Sequence, residues 1–298
     1  MPPARKDGFV EAPVHDHPVR GACRGRFGVG GSTVRARLAR FPGVLLGVVL
    51  FGLGATVSES ARADAETCPS SFSDPVLVKE INGLGDIVLA DGRTLRLAAV
   101  TVASREARDV AIFNAMLKRE VAGRAIVFAS VTDEPARYGR LAGLVRLAED
   151  EGSMKPSLQE RALSEGVAVG VPETGYLGCM ERLLLAERPA RVGRRGLWRR
   201  LPLDARDADA VRAQIGRFTI VAGRITGVGN GRAVDYLNFG RVWRQDTTLR
   251  LTGEARAKLE QTDVTTGTLA GQMVTARGVV FEAGGPAIDI RWVEQLQH

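Results

Sequence analysis

Beyond about residue 70 the chain alternates apolar and polar positions in short runs: VLVKEI from Val76, DIVLA from Asp86, TLRLAAV from Thr94, AIVFASV from Ala125 and RLAGLVRLA from Arg140. A two-residue period puts apolar side chains on one face of a strand, so these runs predict five strands of an antiparallel sheet. Between the third and fourth runs the period lengthens. Val110, Phe113, Leu117 and Val121 recur at three and four, the stripe of an amphipathic helix, with Ser104 as its expected N-cap and Gly123 as its stop. Ser157 and Glu160 form a capping box for a second helix that Gly166 ends. A third helix is expected from about Tyr176 through LLLAER, kinked or split at Pro189, closing near Gly196-Leu197-Trp198.

Three strands, a helix, two strands and two helices is the order of a five-stranded OB-type barrel with three helices. After an expected linker over 201–215, FTIVAGRITGV, a turn at Asn230-Gly231, strand-like runs near Tyr236 and Leu249, a short helix after Gly253 and two strands around Gly284-Gly285 predict a second small β unit over 216–297. It reads as β or OB-like, and the class of the whole chain is mainly β with α (α+β). The run from Tyr236 to Arg244 interleaves aromatic and basic residues, a pattern that serves either to close a small core or to hold single-stranded nucleic acid, with the core reading favoured.

The first 63 residues read as a leader. Arg35, Arg37 and Arg40 precede an apolar run from Phe41 to Val57, and Ala61-Arg62-Ala63 offers small residues at a cleavage spacing. The run is short for a membrane span and carries four glycines and a proline, so a periplasmic or secreted chain with no stable span after leader removal is expected, a retained anchor being the minority reading. The leader also holds nine of the 41 Lys and Arg and four of the 34 Asp and Glu, so 32 basic residues face 30 acidic ones beyond it. The formal charge of +7 is thus weak evidence for a polyanionic partner. Without Cys23, the cysteines that remain are Cys68 and Cys179, which form a disulfide in an oxidising compartment or stay as two free thiols.

Four segments carry a more specific message: TLRLAAV from Thr94, ARYGRLAGLV from Ala136, SLQERALSEGVAVGVP from Ser157 and RRGLW from Arg194. Their order and content resemble the thermonuclease-like (SNase-like) family over a domain at 70–200. The resemblance implies phosphodiester hydrolysis with Ca2+, two aspartates and a glutamate, and a pair of arginines on the phosphate. Arg96 and Arg140 match those arginines, and Arg137 and Tyr138 lie beside them as expected substrate contacts. Asp86 matches the first metal-binding aspartate. Where the family continues R-L-x-x-x-D-x-P-E, this chain has Thr101 at the second aspartate and Ser104 at the general-base glutamate. A hydroxyl replaces neither charge.

Two functional outcomes are open, beside a third in which the domain is only a scaffold for the C-terminal unit, a reading that gains if Arg96 and Arg140 are tied up in salt bridges. One is a degenerate member of the family that binds nucleic acid or another phosphate-containing polyanion with little or no hydrolysis. The other is a calcium-dependent phosphodiesterase that rebuilds its acidic site from Asp86 with Glu106 or Asp109 on the first helix. Each arginine also has a structural reading, Arg96 as a strand end in solvent and Arg140 as the partner of Asp133 or Glu134. The sequence contains no zinc-ligand spacing, P-loop, dinucleotide fingerprint or Ser-His-Asp set in the mature part, whose single histidine is His298.

Overall fold

A computed structural model describes residues 67–298 apart from 133, 136–138, 151, 243–244 and 263. The expected leader therefore lies outside the described residues. The first five predicted strands form at β1 (Val76–Ile81), β2 (Ile87–Leu89), β3 (Thr94–Leu97), β5 (Ala125–Ala129) and β6 (Arg140–Leu147), with a short β4 (Val100–Thr101) pairing β7 (Val169–Gly170) outside them. They close into a barrel of order β1-β2-β3-β6-β5. The expectation of a wholly antiparallel sheet is corrected here: β3 runs parallel to β6, with Thr94 opposite Arg140 and Leu97 opposite Gly143. Local alternation cannot report strand direction, and this parallel pair is what lets the sheet shut.

Helix α1 (Ala107–Val121) buries Phe113, Leu117 and Val121 as their spacing predicts, against Ile87, Leu89, Leu95, Ile126 and Leu147 of the barrel. Its start lies three residues beyond the expected cap. Glu106 is the N-cap, and Ser104 accepts the Glu106 N–H through its hydroxyl at 3.1 Å. Helix α2 (Leu158–Glu165) begins with the full capping box of Ser157 and Glu160 and ends on Gly166 at φ +75°. From it Gln159, fully buried, accepts from Val145 N–H at 3.1 Å and donates to the Gly143 carbonyl at 2.7 Å. These bonds satisfy its amide inside the core.

Helix α3 (Met180–Val192) follows a 3-10 turn at Leu177–Cys179. Pro189 does not split it. The chain then meets itself at a crossing of two glycines. A Cβ on Gly196 would lie 2.2 Å from the Gly166 carbonyl oxygen, and one on Gly166 would lie 2.5 Å from the Arg195 carbonyl oxygen. Through this contact Leu197 N–H donates to Gly166 at 2.9 Å. Cys68 and Cys179 are joined in a disulfide, which fixes the segment ahead of β1 to the start of α3.

The stretch expected as a linker is built into the second sheet. It carries β8 (Leu203–Asp204), parallel to β9 (Phe218–Arg224), and α4 (Ala208–Arg212), whose Val211 is buried in the second core. The remaining predicted elements appear as β10 (Gly227–Gly229), β11 (Val234–Asn238), β12 (Thr248–Thr252), α5 (Gly253–Glu260), β13 (Met273–Glu282) and β14 (Pro286–Ile290), followed by β15 (Leu296–Gln297). The sheet order is β10-β11-β12-β14-β13-β9-β8, with β12 parallel to β14. Only Ile225 and Thr226 separate β9 from β10, so the curled sheet begins and ends near the same bent strand.

All described residues fall in one compact unit. One reason is a fully buried ion pair. Arg277 on β13 and Glu187 on α3, 0% and 2% exposed, make two hydrogen bonds at 2.9 and 3.2 Å; Arg277 also donates to the Gly170 carbonyl, and Gly170 N–H donates to Glu187 at 2.7 Å. Removing either partner would leave an uncompensated charge in the interior, at a cost of about 3–5 kcal/mol.

Candidate functional site

The parallel pair of β3 and β6 brings Arg96 and Arg140 to one cavity of about 280 Å³, together with Asp86, Thr101, Val102, Val110 and Phe113. Asp86 enters from the turn before β2. The side-chain oxygen of Asn82 accepts the Asp86 N–H at 3.0 Å, and its amide donates to the carboxylate at 3.2 Å. Gly85 in that turn has φ +82°, and a Cβ there would lie 2.7 Å from Asn114 Oδ1, so the turn packs against α1 only with glycine. Asp86, Arg96 and Arg140, singled out in the sequence, thus converge, although they stand 10 and 44 positions apart along the chain.

Each arginine of the cavity has a carboxylate partner. Arg140 Nη1 donates to both oxygens of Asp86 at 3.2 Å, and Asp86 is 3% exposed. Arg96 grips Glu173 with both terminal nitrogens, and Glu173 also accepts the Ala99 N–H at 3.0 Å. Ala99 has φ +58°, a left-handed conformation that a non-glycine residue adopts at a cost of about 1–2 kcal/mol, so Glu173 pins the corner between β3 and β4. The Glu173 hydrogen bond raises the Arg96 pKa above its ordinary value and outweighs burial. The solvent-facing reading of Arg96 is replaced by its pair with Glu173; Arg140 does pair with a carboxylate, Asp86, while Asp133 lies outside the described residues. Arg140 Nε remains buried without a hydrogen bond among the described residues.

Glu106 and Asp109, the two acids that a rebuilt nuclease site would use, do not line this cavity. Arg200, beyond α3, clasps both of them, and Ser104 donates its hydroxyl to Asp109. Ser104 lies with Arg200 in a separate depression and does not face the arginine pair. Arg137 and Tyr138 lie outside the described residues.

A Ca2+ ion takes six to eight oxygen ligands, several of them anionic. Here Asp86 is the one carboxylate lining the cavity, both of its oxygens are engaged by Arg140, and the hydroxyl of Thr101 is its nearest substitute for a second acid. These residues do not fit the ion. Among the described residues no group of three or more His, Cys, Asp or Glu could hold a metal.

No family model matches this chain, and no curated protein does.

Sequence reasoning missed two acids and two basic residues that shape the molecule: Glu173, Glu187, Arg277 and the clasping Arg200. Only Glu187 carried a usable signal. It falls at the apolar spacing of Met180, Leu183, Glu187 and Ala190, all buried, so its charge had to meet a partner inside. Among the described residues no helix is long and apolar enough to cross a membrane.

Proposed function

We propose that this protein is an exported, thermonuclease-like module that contacts phosphate-containing polymer, nucleic acid in the first place, with little or no hydrolysis. The observation that carries the reading is the composition of the cavity. It keeps the two arginines and one aspartate, while Thr101 and Ser104 stand where the second aspartate and the general base would be and the helix acids are held by Arg200. Phosphodiester hydrolysis needs a base for water and a cation for the phosphoryl oxygens, and this set supplies neither. Export is supported by the leader pattern and by a disulfide, which persists in oxidising compartments.

A second reading is favoured by the ion pairs. With Arg96 on Glu173 and Arg140 on Asp86 the cavity is close to neutral, as it would be if the barrel were a scaffold for the second sheet. Cleavage and binding of labelled single-stranded DNA and RNA, with Ca2+ or chelator, separate the possibilities. The proposal expects salt-sensitive binding and no cleavage. Calcium-dependent cleavage abolished by Arg140→Ala would establish an active phosphodiesterase instead, and absence of any binding would leave the scaffold.

A further inference from the structure

The second sheet has a larger cavity, about 720 Å³, between β8, the end of β9, the β11–β12 loop and the start of β13. Arg206, Arg224 and Arg241 line it with Asp204 and Asp246. All three arginines are exposed, and among the described residues none forms an ion pair with a carboxylate. Arg224 donates one guanidinium N–H to the Gly271 carbonyl, which orients the side chain without neutralising it.

The two acids are occupied by backbone. Asp204 accepts the Arg206 N–H at 2.9 Å and so shapes the turn that carries Arg206. Asp246 accepts the Val242 N–H at 2.6 Å. Its carboxylate occupies the space that a Cβ on Gly240 would need, 2.0 Å from its Cγ. On the other side of the loop Thr226 donates its hydroxyl to the Gly240 carbonyl at 2.8 Å. The backbone on either side of Arg241, at Gly240 and Val242, is therefore held by hydrogen bonds, which lowers the ordering cost of presenting that side chain. The floor is equally specific: Phe239, fully buried, packs so close to β9 that a Cβ on Gly223 would lie 2.8 Å from its ring. Met273, 55% exposed, adds an apolar rim.

Three arginines against two acids leave an excess positive charge, with the guanidinium forks of Arg206 and Arg241 free, over an apolar floor. Guanidinium groups match phosphate oxygens bidentately. The size lies within the range of pockets that hold organic ligands, whereas the barrel cavity is smaller and its arginines are spoken for.

We infer that this cavity, rather than the barrel, is the primary binding site for a phosphate-bearing polymer, with Arg206 and Arg241 as the contacts to its phosphates and Met273 beside its bases. The inference rests on the proposed contact with phosphate polymer and moves it to the second sheet. It gives Arg241, in the aromatic and basic run from Tyr236, a binding role, while Leu237 and Phe239 of that run serve the core.

The test is fluorescence anisotropy of a labelled oligothymidylate with the full mature chain, titrated at several salt concentrations. Arg206→Ala/Arg241→Ala is expected to weaken binding by roughly ten-fold per arginine and to reduce the slope of log K against log salt by about 1.4, two single-strand phosphate contacts. Both side chains are exposed, so the thermal midpoint should not move, and Arg206→Gln/Arg241→Gln gives the same readout with the side-chain length kept. Arg188→Ala, at an exposed arginine of α3 that lines neither cavity, should leave affinity within about two-fold. Loss of binding in Arg140→Ala with the double variant unaffected would overturn the inference while leaving the proposed phosphate contact standing. No salt-sensitive binding by the unaltered protein would overturn both.

Discussion

In the barrel the third strand, β3, lies parallel to the fifth, β6, and α1 separates the third strand from the fourth. In the second sheet β12 lies parallel to β14, and α5 occupies the corresponding place between β12 and β13. With β9 and β10 counted as one bent strand, the two units share an order of neighbours. They differ in how they are secured and in what they do with arginine. The barrel is stapled by Cys68 and Cys179, and its cavity arginines are matched one to one by Asp86 and Glu173. The second sheet, among its described residues, has no such staple and leaves Arg206 and Arg241 unpaired. The contrast teaches that topology sets where a cavity forms, while charge bookkeeping decides whether it can receive an anion.

The sharpest way to break this contrast is at the staple. The Cys68→Ala/Cys179→Ala chain should lose roughly 4–5 kcal/mol of unfolding free energy on the entropic model, since the crosslink spans 111 positions. Urea unfolding followed by tryptophan fluorescence, with Trp198 buried beside α3 among the three reporters, reads the loss. Next in size is the joint between the units. Glu187→Ala should cost about 3–5 kcal/mol by stranding Arg277, whereas Glu187→Leu/Arg277→Met should recover most of it, as hydrophobic replacement of a buried pair does. Equal losses in the single and double variants would show that the pair contributes no more than its packing.

The cavity comparison itself is sharpened by Glu173→Gln. It should cost about 1–3 kcal/mol through the weakened hold on Ala99 N–H and Arg96, and it should raise affinity for oligothymidylate several-fold by freeing Arg96. Unchanged affinity would mean that pairing is not what keeps the barrel cavity from binding. A smaller effect lies in acid. The Lys155 ammonium on Asp150, helped by Arg161, lowers the carboxyl below its ordinary value of 3.8 against the push of burial. Its stabilisation is therefore complete above about pH 4 and lost as pH falls through the lowered folded value. Asp150→Asn should flatten the acid limb of a thermal-midpoint profile below pH 4 and leave the midpoint's slope above pH 5 unchanged. Last, Ca2+ or chelator should leave the thermal midpoint where it is, because the residues around Asp86 do not make a calcium site; a rise with Ca2+ would reopen the metal question.

Much of the architecture was legible from short-range pattern. The alternation of VLVKEI, the capping box at Ser157 and Glu160, and the turn near Asn230-Gly231 each encode a local geometry and formed where expected, whereas TLRLAAV stops as a strand at Leu97 and turns at Ala98-Ala99. The unread parts depend on partners far away in sequence. Arg277 sits in a strand whose Val274, Ala276 and Val280 face the second core, so alternation assigns it to solvent; it is buried because α3 covers that other face. Glu173 lies 77 positions from Arg96, in a loop without periodicity. The convergence of Asp86, Arg96 and Arg140 was implied by the resemblance drawn from the sequence, whereas their neutralisation could be seen only with the side chains in place.

The crossing of Gly166 and Gly196 bears on what a sequence signature preserves. Gly166 belongs to the SLQERALSEG segment and Gly196 to RRGLW, two of the four pieces on which the likeness to nucleases was drawn, and each occupies space that any larger residue at the other would need. Neither can drift alone, whatever happens to the chemistry of the cavity. The likeness in these two segments therefore reports a junction of backbone, and a chain can carry it whether or not its cavity holds the acids of a nuclease.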